Sequence, residues 1–517
     1  MISLSQPSAK INAEDLLGQV EGIVDFLNQG FANGAEAHEV EEGLWKRILD
    51  LGRYSFGAWL DLFGSGDAGA CIPGEGGRSL KRLEHRHRRE YQSVFGPFEL
   101  QRTVYGTREG QAIEAVPLDA RLNLPQGKTS YLLQDWEQSL TVEVPFATVS
   151  ATLDRILGLS RSVHTLERDQ RAMAQSVSAF WDEQAMPAPE EEGALLVCTA
   201  DGKGVPMRRE QAAETPPEAV AGQRPQASAG PRPGTKKMAL LGAAYTIDPV
   251  IRTPDEVLDS LFADISHTQP DTTRPQPCHK QVRAALERDT EQTTAPQVAS
   301  IFGWLREQAR ARNPDGDKPI VLIMDGQASL WDAGWEALPQ RDEEVTEVLD
   351  LLHALGYLWE AASLFYPSAP TGPEAVVFVK RQAERLLNGQ IETVLHALRW
   401  LGTHHALRGK RLDQLERIRG YFANNAHRMA YDTYLAHGFP IASGVIEGAC
   451  RCVVKDRMER SGMRWVMAGA QAMLHMRCIA LSDLWESFRT FRIQRESQRL
   501  YPGYAANDAD FNQVLAA

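Results

Sequence analysis

Three carboxylates stand where a sequence can place metal chemistry. Ile320-Val-Leu-Ile-Met324 runs into Asp325 and Gly326, and Ala194-Leu-Leu-Val-Cys-Thr-Ala200 runs into Asp201, followed by Gly202-Lys-Gly204. Each apolar run has the pattern of a short strand buried on both faces. Sheets built from such strands place their chemistry just past the strands' carboxyl ends. Glu447, in Ser443-Gly-Val-Ile-Glu447-Gly448, falls in the first turn of an expected helix. If the two strands are neighbours and this helix crosses their ends, the three acids converge on one pocket. Carboxylate oxygens are the hard ligands that Mg²⁺ or Mn²⁺ prefers. Two such ions, about 3.5–4 Å apart, can activate an attacking oxygen and stabilise the leaving oxygen of a phosphodiester. Without cations the acids would repel one another and some would take up protons. The alternative for each strand-end acid is a cap on the turn that follows it.

The basic residues bear on the substrate. The net charge of −13 weighs mildly against nucleic acid, but phosphate contact is governed by local clusters. Arg78, Lys81, Arg82, Arg86, Arg88 and Arg89 crowd one segment, and Arg451, Lys455, Arg457, Arg460 and Arg464 follow Glu447. Arg489, Arg492, Arg495 and Arg499 recur along one helical face. A solvated helix face explains any one cluster; together they point to DNA. Metal-dependent phosphoryl transfer on nucleic acid accounts for both acids and clusters, whereas a hydrolase of small phosphorylated substrates leaves the clusters unexplained.

Composition sets the class. An apolar fraction of 43% and a charged fraction of 24% are those of an ordinary soluble globular protein. No run approaches the roughly 18 apolar residues of a membrane span, and the N-terminus lacks an export signal, so no membrane partner is expected. Six scattered cysteines fit a reducing, cytoplasmic setting. Cys450 and Cys452 have no second thiol pair nearby and read as buried apolar residues rather than a zinc site.

The elements that must position these residues follow in order. Residues 1–66 are mainly helical, with Leu16, Leu17, Val20, Ile23, Val24 and Leu27 at helical spacing for core or dimer packing. Residues 67–125 hold the basic segment and a small β-hairpin over Phe95–Tyr105. Residues 126–186 are helical: Phe146, Val149, Leu153 and Ile156 share a face, Gly158-Leu-Ser160 turns, and a second helix runs from Arg161 to about Gln175 with Ser160 as its cap. That is helix-turn-helix spacing, placing Arg161, Ser162, His164, Thr165 and Arg168 where they could face a DNA groove; a plain core helix pair is the alternative. Residues 187–353 form the first part of an α/β core, interrupted by low-complexity 208–237, read as disordered. Residues 354–440 are an all-helical insertion. Residues 441–517 carry the Glu447 helix, expected to run to about Gly462, and basic helices.

The series Thr199-Ala-Asp201-Gly-Lys-Gly, Met324-Asp325-Gly, Asp350-Leu-Leu-His353 and Ser443-Gly-Val-Ile-Glu447-Gly resembles the DDE transposases of bacterial insertion sequences. Val116-Pro-Leu-Asp-Ala-Arg-Leu-Asn-Leu-Pro125 and Ser461-Gly-Met-Arg-Trp465 look most like the ISKra-type family. The resemblance implies a ribonuclease H-like mixed sheet, with Asp201, Asp325 and Glu447 as the triad holding two Mg²⁺ or Mn²⁺ ions. Asp350 and His353 match an element that lies beside the active site in related transposases, which makes His353 a catalytic candidate; a helix-start histidine packed in the core is the alternative. It implies cleavage at the ends of a mobile element and attack of the freed 3′-hydroxyl on target DNA, in a nucleoid-associated protein that is a homodimer or larger on DNA. Arg86, Arg88, Arg89, Lys203, Arg451, Lys455 and Arg464 are the candidates for phosphate contact. Trp465 could stack on an unpaired base or close its own helix as a buried indole. The lone Cys71 departs from relatives that carry paired cysteines ahead of the core. A domesticated DNA-binding protein that keeps the fold without catalysis is the competing reading.

Overall fold

The computed structural model describes residues 13–74, 77–110, 112–208, 236–262, 275–287, 296–338, 345–460 and 462–502. Two compact units emerge: Met1–Phe180 with Trp485–Ala517, and Trp181–Leu484. Among the described residues no helix is long and apolar enough to cross a membrane.

The first unit opens with two helices, Ala13–Ala32 and Ala37–Asp61. Part of the basic segment lies in the small β-hairpin. Its residues His87–Ser93 form a strand paired antiparallel with Gly96–Arg102, so the hairpin turns at Val94 and Phe95, earlier than the sequence pattern indicates. Tyr91 and Leu100 from its two strands lie in one small apolar cluster with Leu60 and Leu118. The helix pair expected after residue 126 is present as Phe146–Leu157 and Val163–Ala174. Gly158 ends the first in the left-handed conformation (φ +65°) that glycine tolerates best. The cap of the second is Ser162, whose hydroxyl accepts from Thr165 N–H at 3.1 Å, and not Ser160. The C-terminal helix Trp485–Leu500 belongs to this unit.

The second unit holds a five-stranded mixed sheet. Its strands, numbered along the chain, are β1 (Leu195–Pro206), β2 (Lys236–Ile247), β3 (Cys278–Leu286), β4 (Ile320–Met324) and β5 (Val345–Leu349). Their order across the sheet is β5-β4-β1-β2-β3. β1, β2 and β3 are antiparallel, while β4 runs parallel to both β1 and β5. All five residues of β4 are buried, as an apolar run covered on both faces requires. β1 does not stop at Asp201: its ladder with β2 continues to Pro206, though its parallel pairing with β4 ends at Ala200. Lys236 and Lys237 therefore belong to β2, and Arg208 N–H donates to the Trp465 carbonyl at 2.7 Å, so both ends of the expected 208–237 disordered stretch are ordered; residues 209–235 lie outside the described residues.

Helices cover the sheet closely. Gly242 of β2 lies under the Pro296–Arg312 helix, where a Cβ would come within 2.6 Å of Ile301 Cγ2. Both edges are occupied, which protects their unpaired backbone groups. On β3, Gln471 Oε1 accepts from Leu286 N–H at 2.9 Å and Ser482 Oγ from Val282 N–H at 2.9 Å. On β5, the Tyr431 and Tyr434 hydroxyls donate to the carbonyls of Leu349 (2.8 Å) and Glu347 (3.1 Å). Those tyrosines come from the helical stretch after β5, built from Leu351–Phe365, Pro373–Leu387, Ile391–His404, Lys410–Asn424 and Tyr431–Ala436. Its apolar faces share one continuous core with the sheet.

Candidate active site

Ala200 of β1 is the register partner of Met324 of β4, so the next residue on each chain is an acid, Asp201 and Asp325. Side chains at paired positions of parallel strands point to the same face. Asp325 is half-buried; its Oδ1 accepts from Gln327 N–H at 3.0 Å and its carbonyl accepts from Trp331 Nε1 at 2.7 Å. Burial, with the nearby charges of Asp201 and Asp350, raises the Asp325 pKa above the ordinary carboxylate value.

The Glu447 helix spans Gly444–Ala449 and packs on β1 and β2. It does not continue as one α-helix to Gly462: Cys450–Lys455 is a π-helical segment, followed by one α-turn at Asp456–Met458. Such wide turns re-aim the side chains that follow and recur at functional sites. Cys450 is buried within it, where burial and the nearby Asp201 carboxylate raise its thiol pKa, whereas Cys452, also expected to be buried, is half-buried. Burial, with Asp350 and Asp201, raises the Glu447 pKa as well.

Asp350 and His353 complete the cluster. Asp350 is fully buried at the start of the Leu351–Phe365 helix, where Oδ1 accepts from Leu352 N–H (2.6 Å) and His353 N–H (3.2 Å). Oδ2 accepts from Ser443 N–H at 2.8 Å and from the Ser443 hydroxyl. One carboxylate thus caps a helix and ties down the turn that launches the Glu447 helix. Burial pushes the Asp350 pKa up, but His353 and Ser443 together hold it below the ordinary value. His353 is not packed in the core: its Nδ1 lies 3.7 Å from Asp350 Oδ2 and 3.7 Å from Glu447 Oε1. Asp350 chiefly, then Asp325 and Asp201, raise its pKa to about 9 against the opposing effect of burial.

Asp350, His353 and Glu447 each offer a ligand atom within 4.8 Å of the others. Asp201 and Asp325 lie outside that tight group but act on its charges. An oxygen-rich set in which burial and neighbouring carboxylates raise the pKa of Asp325 and Glu447 fits a hard divalent cation.

The residues singled out for DNA contact divide into two sets. Arg86, His164, Lys455 and Arg464 are exposed, Arg451 is exposed and ion-paired with Asp456 at 3.4 Å, and Lys203 is half-exposed. Arg88 and Arg168 are exposed but ion-paired with Glu99 and Asp169. Thr165 is half-buried, sharing a 2.9 Å hydrogen bond with Ser162. The others turn inward. Arg161 does not face a groove: it pairs with the fully buried Glu137 at 2.5 Å and with Asp169 at 3.2 Å. Arg89 bonds Asp119 at 2.6 Å, with the carbonyls of Pro125 and Gly127. Trp465 is buried, donating from Nε1 to the Met458 carbonyl at 3.0 Å with Arg457 over its ring, so it closes its own segment. Arg492 of the basic tail helix is buried against Gln134 and Glu496.

Sequence reading missed Ser443 as a partner of Asp350 and Tyr421 beneath Asp325. A helix start at Ser443 was legible, but nothing local shows that its hydroxyl serves a residue so distant in sequence. Tyr421 stacks on Tyr357 at 3.8 Å and lies where a Cβ on Gly326 would fall.

No family model matches this sequence, and no curated protein matches it. Among solved structures the chain is similar to the Drosophila P element transposase strand transfer complex, at 10% identity and a TM-score of 0.26, over 76% of this chain and 86% of that one.

Proposed function

We propose that this chain is a DDE transposase of the ISKra type with a ribonuclease H-like core, which cuts and joins DNA at the ends of an insertion sequence. The observation that carries the reading is the register of β1 and β4, which pairs Ala200 with Met324 and so ends one residue before both Asp201 and Asp325, with the Glu447 helix packed on β1. The sheet order, three antiparallel strands continued by two parallel ones, supports the ribonuclease H-like assignment. Asp201, Asp325 and Glu447 would hold Mg²⁺ or Mn²⁺, which when bound supplies the Lewis acidity for phosphodiester chemistry. The chain's own residues do the rest. β1 backbone carries Asp201, the turn after β4 carries Asp325, Asp350 and Ser443 set the start of the Glu447 helix, and His353 stands 3.7 Å from the Glu447 carboxylate. Lys203, Lys455 and Arg451, the last paired with Asp456 at 3.4 Å, would supply positive charge for phosphate.

The test is incubation of the full-length protein with labelled duplexes carrying the element's terminal inverted repeats, with Mg²⁺ or with EDTA. Mg²⁺-dependent nicking by the wild type, lost in Asp325→Ala while the bound fraction is unchanged, is the expected result. Wild-type binding without nicking would instead establish the non-catalytic DNA-binding reading.

A further inference from the structure

Beside the Glu447 helix the second unit holds a cavity of about 790 Å³, inside the roughly 300–1,000 Å³ range of ligand pockets. Its walls come from residues 184–187, the entry to β3, the Gly444–Ala449 helix and the turn after the Met467–Leu481 helix. Glu447 is not in the wall and faces His353 instead. Two glycines of its helix, Gly444 and Gly448, line the cavity one turn apart. Neither has a positive φ, and a Cβ on either would meet no atom within 4 Å. Glycine is a poorer helix former than alanine, so neither the backbone nor the packing of this chain accounts for the pair. What they leave is bare backbone against which a ligand can lie closely.

Polar groups without partners line the same space. Gln184 Oε1 is buried and has no hydrogen-bond partner among the described residues. Gln281, only 5% exposed, likewise makes no side-chain hydrogen bond among them. Its neighbour Lys280 is half-buried and has no ion pair among them. Buried amides left unpaired are costly, which points to a ligand that brings the partners. A carboxamide sets a donor beside an acceptor, the complement of the N6/N7 edge of adenine, and an ammonium suits a phosphate. Met186, Val445 and Leu484 give apolar surface to the wall, as a flat ring requires. Asp483 is the one acid among the described lining residues, and it is exposed.

We infer that this cavity binds a nucleotide with an adenine-type base, whose edge is read by Gln281 and Gln184 and whose phosphate meets Lys280. The inference is independent of the catalytic reading, because it concerns binding alone. The experiment is isothermal titration calorimetry of the full-length protein with AMP, adenosine and GMP. One AMP per chain is expected, with GMP bound roughly tenfold more weakly, the discrimination that a bidentate amide–base pair supplies. Gln281→Leu should weaken AMP and adenosine alike, by about tenfold. Lys280→Ala should weaken AMP and leave adenosine unchanged. Gly448→Leu, whose side chain has room to enter the cavity, should abolish binding of both. Far-UV circular dichroism reports whether each variant is folded. Competition with single-stranded oligodeoxyadenylate separates the two sources of such a base: displacement of AMP assigns the site to an unpaired base of DNA, and retention of AMP assigns it to the free nucleotide. A wild type that does not bind AMP overturns the inference; so does equal affinity for AMP and GMP, or undiminished AMP binding in folded Gln281→Leu and Gly448→Leu variants.

Discussion

His353 Nδ1 stands 3.7 Å from Glu447 Oε1, joining the start of the Leu351–Phe365 helix to the first turn of the Gly444–Ala449 helix. The imidazole pKa rises to about 9, chiefly through Asp350, so the ring is charged at neutral pH. A raised folded-state pKa contributes stability that is complete below the unfolded value of 6.5 and lost as pH climbs through about 9. In cation-free buffer, urea unfolding of the wild type should therefore show stability declining over that window, and His353→Gln should flatten the decline.

Asp325 gives a pH dependence of the same sense, stability falling as pH rises, but here because the ionised form is the costly one. Its pKa is raised by burial and by Asp201, so its ionised form is disfavoured at neutral pH and relieved as pH falls. Asp325→Asn should make the cation-free protein at least as stable as wild type at neutral pH. Adding Mg²⁺ should raise the melting temperature of the wild type, with about 2.7 kcal/mol of stabilisation at a hundred times the dissociation constant, and leave the variant unmoved. Differential scanning calorimetry with and without EDTA reads both effects.

Asp350 accepts four hydrogen bonds in a fully buried position. Asp350→Asn aims an amide N–H₂ at donors on one side and weakens the cap on the other. The expected loss is about 2–4 kcal/mol, seen as a lower urea midpoint, with Ser443→Ala giving a smaller loss and little further effect in the double variant.

At Gly326 a Cβ would lie 2.2 Å from Tyr421 Cε2, and that ring is held by its stack on Tyr357. Gly326→Ala should cost about 1–3 kcal/mol through overpacking and disturb the backbone next to Asp325. The Tyr421 hydroxyl is buried and has no hydrogen-bond partner among the described residues. Tyr421→Phe should accordingly be neutral or slightly stabilising, which chemical denaturation resolves.

Arg161 and His164 separate structure from binding. Arg161→Ala leaves Glu137 buried and uncompensated, a loss of about 3–5 kcal/mol. His164 is exposed in the first turn of its helix, so His164→Ala should leave the unfolding midpoint unchanged while weakening DNA affinity in a gel-shift assay. Equal stability losses in both variants would remove this helix from the DNA-binding reading.

Local pattern sufficed for some of this. Ile320–Met324 reads as a buried strand because five consecutive apolar residues leave no face for water, and every one is buried. The carboxylates after β4 and on β1, the helix start at Ser443 and the helix pair after residue 145 were likewise legible, since each is written within a few neighbouring residues. β3 was not, because Cys278–Leu286 has no clean alternation and is a strand by virtue of its pairing with β2. Pairing of β1 with β2 likewise carries β1 past Asp201 to Pro206.

What sequence alone determined, then, is which residues can ionise and where short apolar runs must hide from water. Tertiary structure decided which charges meet solvent and which meet one another. Arg161, Arg89 and Arg492 look no different in sequence from Arg86 or Arg451, yet the first three are held inside by Glu137, Asp119 and Glu496. A guanidinium carries the same charge in either place, and only a carboxylate brought close by the fold makes its burial tolerable. The convergence of Asp350, His353 and Glu447 likewise depends on strand register and helix packing between segments distant in the chain.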